Sequence, residues 1–348
     1  GPDTTGPVVS GPALLLGLAD HVVMTEDAYA YVCGPRMVET FTGEALDADE
    51  LGGAGVHATG TGLAALVVAD RDAALAALGD LLTYLPSNVD EEPPRWFTDD
   101  PVDRATPEAG ECIPASATGG YDVRDVVRAI VDDHELLELR GRWAPNLVTA
   151  LASIGGRTVG IVANQPSAIA GTLDIPASQK GARFVAFCDA FGIPLLTLVD
   201  TPGFYPGKDL EWRGMIRHGA QLAFAYARAT VPRVAVVLRK AYGGAYIVMD
   251  CRAMGSDLYL AWPSAEIAVM GAKGAVEVLH RRETPERRAE LEKEYEQRFL
   301  NPYVAADRGA VDAVVDPADT RREVAAAFDV LATKREQLVP RRHCNTPL

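Results

Sequence analysis

The run Val234-Ala-Val-Val-Leu238 leads into Lys240-Ala-Tyr-Gly-Gly-Ala-Tyr-Ile-Val-Met249, and then into Trp262-Pro-Ser-Ala-Glu-Ile-Ala-Val-Met-Gly-Ala-Lys-Gly274. The first run is short, apolar and β-branched, which predicts a buried strand. Gly243-Gly244 then turns the chain into an Ala-, Met- and Cys-containing segment that reads as a helix. A strand that turns on two glycines into a helix start aims free backbone N–H groups at one spot. Glycine admits positive φ and lets a ligand oxygen come close. That is how an oxyanion hole is built. Without a ligand, the same residues make an ordinary strand-to-helix turn.

The turn recurs at the start of the chain. With Gly6 set on Gly244, Asp20 meets Asp257, Ala28 meets Ala265, Val32 meets Val269 and Gly34 meets Gly271, with one residue inserted near Gly11. Two copies of one supersecondary unit predict a duplicated fold with two equivalent sites. In this alignment Thr5 stands at the place of Gly243 and Pro7 at that of Ala245. Pro7 has no N–H to donate, so the first site is expected to be chemically poorer than the second.

A chain of 348 residues is long enough for two domains with a core each. Its formal charge of −15 argues against nucleic acid or an anionic membrane as the main partner. No apolar run reaches the roughly 18 residues that a membrane span needs. The five cysteines are scattered, odd in number and without metal-ligand spacing. A reduced, cytoplasmic protein without a metal is the expectation.

The expected organisation is a first domain over residues 1–98, a linker over 99–120 and a second domain over 121–348. Leu14 to Phe41 reads as helix, strand, strand, and Asp70 to Leu85 as an amphipathic helix. Pro86 to Thr118 is rich in proline and acid and reads as a linker or extended surface connection. Beyond it, Val148–Ile154 and Thr158–Ala163 form strands around a hairpin turn at Gly155-Gly156. Ser178 to Phe191 reads as a helix, Leu195–Val199 as a strand and Met215 to Ala229 as a helix. Such alternation predicts right-handed βαβ crossovers, with chemistry at the carboxyl ends of the strands. There lie Ala170-Gly171-Thr172, Thr201-Pro-Gly203 with Phe204, and Tyr242–Ala245. No triad, P-loop, His-Glu-x-x-His or paired carboxylate accompanies them. His57 reads as structural, and Glu266 and Asp257 have the flanks of helix-end and core-edge residues. Backbone donors without a side-chain base suit an enolate held by N–H groups, the base coming from a cofactor or the substrate.

Several longer motifs stand out. They include Gly171-Thr-Leu-Asp, Phe187-Cys-Asp-Ala-Phe-Gly-Ile-Pro, Val199-Asp-Thr-Pro-Gly-Phe and Arg217-His-Gly-Ala. Arg239-Lys-Ala-Tyr-Gly-Gly-Ala-Tyr, Ala261-Trp-Pro-Ser-Ala-Glu, Met270-Gly-Ala-Lys-Gly-Ala-Val-Glu, Asn301-Pro-Tyr-Val-Ala-Ala and the tail Asn345-Thr-Pro-Leu348 belong with them. Together these motifs resemble the carboxyltransferase (β) subunits of biotin-dependent acyl-CoA carboxylases, the propionyl-CoA carboxylase type above all.

The resemblance implies an α/β fold of two crotonase-like (ClpP/crotonase) domains. The N-terminal one is expected to be incomplete, because the family has a long segment before the position of Gly1. It implies transfer of a carboxyl group from biotin, carried on the biotin carboxylase/biotin carrier α subunit, to the α carbon of an acyl-CoA. The substrate would be acetyl-, propionyl- or a longer acyl-CoA, and dimers would build a hexamer. One backbone hole holds the thioester oxygen and the other the biotin oxygen, with the catalytic positions falling on Gly243, Gly244 and Ala245 and on Thr5 and Gly6. The family pattern at the first hole is Gly-Pro-Cys-Ala-Gly-Gly-Ala. Tyr246, Ile247, Gly171, Gly203 and Phe204 are the expected substrate- and biotin-binding residues. Ile247 stands where propionyl-type enzymes usually carry Asp, which implies an altered acyl preference. The rival readings are a malonyl-type acyl-CoA decarboxylase or transcarboxylase of the same fold, and a non-catalytic assembly subunit.

Overall fold

The computed structural model describes residues 3–116, 118–340, 342 and 346–347. Cys344 and the ends of the motif Asn345–Leu348 lie outside them. The chain divides into two compact units, residues 1–94 with 137–145, and residues 95–136 with 146–348.

In the first unit, β1 (Asp3–Thr4), β3 (Val22–Thr25) and β5 (Ala64–Val68) form a parallel sheet in the order β1-β3-β5, while β2 (Val8–Val9) pairs with β4 (Ala30–Tyr31). Val22 to Thr25 are all buried, as expected of a strand covered on both faces. The helix α1 (Gly11–Leu16) precedes β3, and Leu16, Val22, Met24, Ala28, Ala54 and Ala64 share one core. Pro35–Thr42 is a helix, α2, and not the tail of the expected strand. Its signals are local: Pro35 presets φ at the helix start, and Gly43, at φ 79°, ends the helix in the left-handed region. Asp70 accepts the Ala73 N–H and caps α3 (Arg71–Leu82). Residues 137–145 join this unit through Arg140, whose Nε donates to the Gly62 carbonyl at 2.8 Å and whose Nη2 donates to that of Asp20 at 2.9 Å.

The second unit is built on β6 (Leu147–Ile154), β7 (Arg157–Asn164), β8 (Leu195–Thr201), β9 (Arg233–Tyr242), β10 (Leu258–Ala261), β11 (Glu266–Ala268) and β12 (Ala313–Val314). Their order is β12-β10-β9-β8-β7-β6, with β11 continuing the edge beside β9. The β6–β7 hairpin is antiparallel about Gly155-Gly156, and the other pairs are parallel. Its helices include α4 (Val123–Ile130), α5 (Ile175–Ala190), α6 (Met215–Arg228), α7 (Gly243–Val248), α8 (Ala272–Leu279) and α9 (Thr320–Leu331). Every residue of β8 is buried, so its near-continuous apolar run is that of a parallel strand covered on both faces.

The proline-rich stretch expected as a linker is folded onto this unit from Arg95 onward. Trp96 donates its N–H to the Gly156 carbonyl at 2.6 Å, and the Thr106 N–H donates to Ala318 at 2.8 Å. Arg104 binds Asp100 at 2.6 Å and also the carbonyls of Ala129 and Val131. Arg321, fully buried, ties these pieces together: it binds Asp132 at 2.6 Å and the carbonyls of Ile130, Pro101 and Asp100. Asp132 in turn accepts both hairpin amides, from Gly155 at 2.9 Å and Gly156 at 2.8 Å. A buried guanidinium and carboxylate are tolerable because their remaining donors and acceptors are satisfied.

Removing one partner leaves the other buried and uncompensated. Arg321→Ala is therefore expected to lower the unfolding free energy by about 3–5 kcal/mol, measured by urea titration. The Arg104 hydrogen bond holds Asp100 below the ordinary aspartate range, and burial opposes it. A depressed carboxylate stabilises the fold above its unfolded pKa and loses that contribution as the pH falls. Asp100→Asn should accordingly flatten the decline of stability below about pH 4, followed by unfolding at stepped pH.

Candidate active site

Three strands of the second unit end at one place. The loop after β7 carries Gly171, that after β8 carries Gly203 and Phe204, and that after β9 carries Gly243, Gly244 and Ala245. The Leu173 N–H donates to the Gly203 carbonyl at 3.1 Å and the Tyr205 N–H to that of Leu173 at 2.8 Å, zipping the first two loops. Gly171, at φ 71°, lies so close to the Asp200 carbonyl that an added Cβ would stand 2.5 Å from its oxygen. The Phe204 ring lies against Gly244, 3.4 Å from where a Cβ would be, and against Gly219 on α6. The structure thus brings Gly171, Gly203, Phe204 and the glycine turn together, as the loops at the carboxyl ends of a parallel sheet should be.

Gly243 has φ 60°, with the Val269 carbonyl 3.1 Å from its would-be Cβ. Glycine suits both constraints. Gly244 and Ala245 fall in the first turn of α7, where backbone N–H groups have no intrahelical acceptor. Gly244 is exposed and Ala245 is buried. The Tyr246 ring turns inward, packing edge-on to Tyr259 at 6.0 Å, and burial pushes its hydroxyl up to about 12. Ile247 is 47% exposed, whereas Ala245 and Val248 of the same helix are buried.

Asp200, at the end of β8, is 1% exposed. Its Oδ2 accepts from Arg239 Nε at 3.0 Å and from the Tyr121 hydroxyl at 2.8 Å, and its Oδ1 accepts the Lys240 N–H at 3.1 Å. The Asp200 N–H donates to Asn164 Oδ1 at 3.2 Å. Burial raises the Asp200 carboxyl above the usual aspartate range, against the pull of Arg239, and it drives the Tyr121 phenol far up, so Tyr121 stays a donor. Sequence reasoning missed this cluster: Asp200 was visible only as part of a motif, and Tyr121 lies far from it in the chain.

Other titratable candidates are structural. Glu266 accepts a hydrogen bond from the Tyr242 hydroxyl. Asp257 accepts the Arg233 N–H and the Lys334 ammonium, each at 2.8 Å. His57 has both ring nitrogens engaged, by the Ala30 carbonyl at 2.7 Å and Thr61 Oγ1 at 2.9 Å.

Strand register corrects the alignment of the two turns. Thr4 pairs with Met24 as Val237 pairs with Ala261, and Val8 and Val9 pair with Ala30 and Tyr31 as Ala241 and Tyr242 pair with Ile267 and Ala268. The equivalences through β3 and β4 stand, but the residue that follows β2, and so matches Gly243, is Ser10. Ser10 has φ 62°, beside the 60° of Gly243. Gly11 then matches Gly244, and Pro12 matches Ala245. Thr5 and Gly6 lie in the bend between β1 and β2, away from any strand-to-helix turn. Matching glycine to glycine misplaced the gap, because the sequence carries no marker of which residue pairs across a sheet. In the corrected register the pattern Gly-Pro-Cys-Ala-Gly-Gly-Ala falls on Gly6-Pro7-Val8-Val9-Ser10-Gly11-Pro12.

A glycine turn that opens a short helix at the end of a parallel strand, present once in each unit, defines a crotonase-like α/β fold of the carboxyltransferase kind. The chain belongs to the carboxyl transferase domain family, whose model matches residues 4–346. Among its relatives, the methylmalonyl-CoA carboxyltransferase 12S subunit of Propionibacterium freudenreichii subsp. shermanii is 49% identical over 98% of this chain and 66% of its own length. The propionyl-CoA carboxylase beta chain of Roseobacter denitrificans is 46% identical over 99% of this chain and 68% of its own length. The chain thus spans about two thirds of the curated relatives that it matches. A crystal structure of transcarboxylase 12S, a hexamer assembly with hydrolysed methylmalonyl-coenzyme A bound, superposes with a TM-score of 0.97 at 48% identity. That match covers 99% of this chain and 68% of the other. A single-chain, multi-domain long-chain acyl-CoA carboxylase matches with a TM-score of 0.79 at 30% identity, over 93% of this chain and 32% of the other.

A serine held at positive φ is strained where glycine is not, so Ser10→Gly should raise stability by about 1 kcal/mol in urea unfolding. Gly171→Ala should act in the opposite sense, because its Cβ would press on the Asp200 carbonyl. A cost of about 1–3 kcal/mol is expected by the same titration.

Proposed function

We propose that this chain is the carboxyltransferase component of a biotin-dependent acyl-CoA carboxylase. The observation that carries the reading is the Gly243–Ala245 turn, set among the three carboxyl-end loops of a family member. Its first-turn N–H groups match the need of a thioester or ureido oxygen that gains negative charge. Biotin, brought on a partner subunit, supplies the carboxyl group when bound. Gly244 and Ala245 N–H hold the developing oxyanion, Phe204 walls the turn, and Gly171 and Gly203 let the neighbouring loops close on it. No side chain at the turn is placed as a general base, which suits α-proton removal by the bound groups themselves. The partners that fit are a biotin-carrying α subunit and further copies of this chain, in a hexamer like that of the transcarboxylase 12S relative.

In the first unit, the turn Ser10-Gly11-Pro12 retains the Gly11 N–H, but Pro12 has none where Ala245 has one. The two holes are thus unequal, and this observation favours a second reading. A decarboxylase of malonyl-type thioesters needs a single enolate hole. Dependence on the carrier separates the two readings. Transfer of labelled carboxyl from a carboxylated biotin carrier to propionyl-CoA, absent without the carrier, supports the carboxyltransferase. Carrier-independent release of CO2 from methylmalonyl-CoA overturns it.

Ala245→Pro copies what Pro12 does in the first unit. With one oxyanion donor lost, kcat should fall by about 10²–10³, with a smaller change in KM for acyl-CoA. Ile247 presents an apolar side chain to the substrate, and Ile247→Asp should shift the kcat/KM ratio between longer acyl-CoA and propionyl-CoA toward propionyl by about tenfold. Steady-state kinetics with a series of acyl-CoA thioesters measures both.

A further inference from the structure

The pairing of β8 with β9 breaks just before the glycine turn. Val199 pairs with Val237 and Thr201 with Ala241, so Asp200 alone stands opposite Leu238, Arg239 and Lys240. This is a bulge with two surplus residues, and in such a bulge some ladder hydrogen bonds are lost and the strand is re-aimed. On its other edge β9 changes partner across the bulge: Val234 to Val237 pair with β10, Lys240 to Tyr242 pair with Glu266 to Ala268 of β11, and the chain then enters the turn at Gly243. Where the bulge sits therefore determines where the turn sits.

The residue opposite the bulge supplies what the ladder has lost. Asp200 Oδ1 accepts the Lys240 N–H from inside the bulge, and Oδ2 accepts Arg239 Nε from the residue before it. Tyr121 donates to the same oxygen, and Arg239 Nη1 continues to the carbonyls of Gly119 at 2.9 Å and Ser116 at 3.3 Å. The main chain of Asp200 reaches the other two loops. Its carbonyl lies against Gly171, and its N–H donates to Asn164 at the end of β7. One buried residue thus contacts the frame of all three loops. We propose that Asp200 is the positioning residue of the Gly243–Ala245 turn, holding the β9 bulge in register through its carboxylate. This assignment rests on the functional reading of that turn only for its catalytic consequence; the structural hold is testable by itself.

Two paired variants isolate the acceptor from the charge. Asp200→Leu with Arg239→Met removes the ion pair as a unit and leaves the Lys240 N–H without its acceptor. Asp200→Asn with Arg239→Met removes the same cation but retains an amide oxygen for that N–H. Hydrogen–deuterium exchange on the full chain, read by mass spectrometry, is the primary measurement. In the Leu/Met protein, the peptide spanning 238–246 should exchange at least about tenfold faster, while peptides from 147–154 keep their protection. In the Asn/Met protein the 238–246 peptide should stay close to the parent rate. Carboxyl transfer should show kcat reduced at least about tenfold in the Leu/Met protein, with KM for acyl-CoA within about threefold.

Unchanged exchange at 238–246 in a folded Leu/Met protein overturns the proposal, and so does faster exchange with unaltered kcat. If the Leu/Met protein loses protection throughout, Tyr121→Phe decides. It removes one donor from Asp200 without touching either charge, and it should still accelerate exchange at 238–246 by about threefold; no acceleration there overturns the proposal. Absence of carboxyl transfer in the parent protein would defeat the functional reading and leave the exchange result to judge Asp200.

Discussion

A carboxylate enclosed at the end of a parallel strand has to be satisfied, and in this protein the groups that satisfy Asp200 come from the segments that form the site. Arg239 and the Lys240 amide belong to the bulge of β9, Tyr121 just precedes α4, and Asn164 ends β7. Leaving such a charge unpaired would cost several kcal/mol. The electrostatic requirement and the geometry of the turn are therefore one constraint. The β9 bulge, the entry to α7 and the approach of the Gly171 loop all follow from it.

The two units show how a duplicated backbone can carry unequal chemistry. Ser10 and Gly243 share a positive φ, each at the point where a short parallel pairing gives way to a helix. The conformation is the same although the residue differs. Serine accepts it at a cost in strain, and glycine does not incur one. Donor chemistry is not imposed in the same way: Ala245 has an N–H and Pro12 does not. The helix start tolerates proline because a first-turn N–H lacks an intrahelical partner in any case. The two turns thus share backbone geometry and differ in the donors that their residues supply.

The cluster of buried Arg321 and Asp132 with the half-buried Asp100 and Arg104 plays the comparable part away from the site. It converts a proline-rich, acidic stretch into a strap against the second unit's sheet. Asp100 and Pro101 of the strap and Ile130 of α4 give backbone carbonyls to Arg321, while Ala109 joins the apolar core of the unit. For that reason a segment with linker composition is ordered here, and its hydrophobicity gave no hint of it.

What the amino-acid sequence determined by itself is local. The apolar β-branched runs of β7, β8 and β9, the hairpin at Gly155-Gly156, the cap at Asp70 and the glycine-bearing loops at the ends of the strands are all legible without coordinates, because each depends on neighbouring residues. Even the helix Pro35–Thr42 had its markers in Pro35 and Gly43. Only the tertiary structure decided which residue of the first unit answers to Gly243, that residues from Arg95 onward fold onto the second unit, and that Asp200 organises the site. Each of these rests on hydrogen bonds between segments far apart in the chain, such as Arg321 with Asp132 or Tyr121 with Asp200. A register shift or a buried ion pair leaves composition and periodicity unchanged, so nothing in the linear order of residues distinguishes the arrangement that satisfies every buried polar group from those that do not.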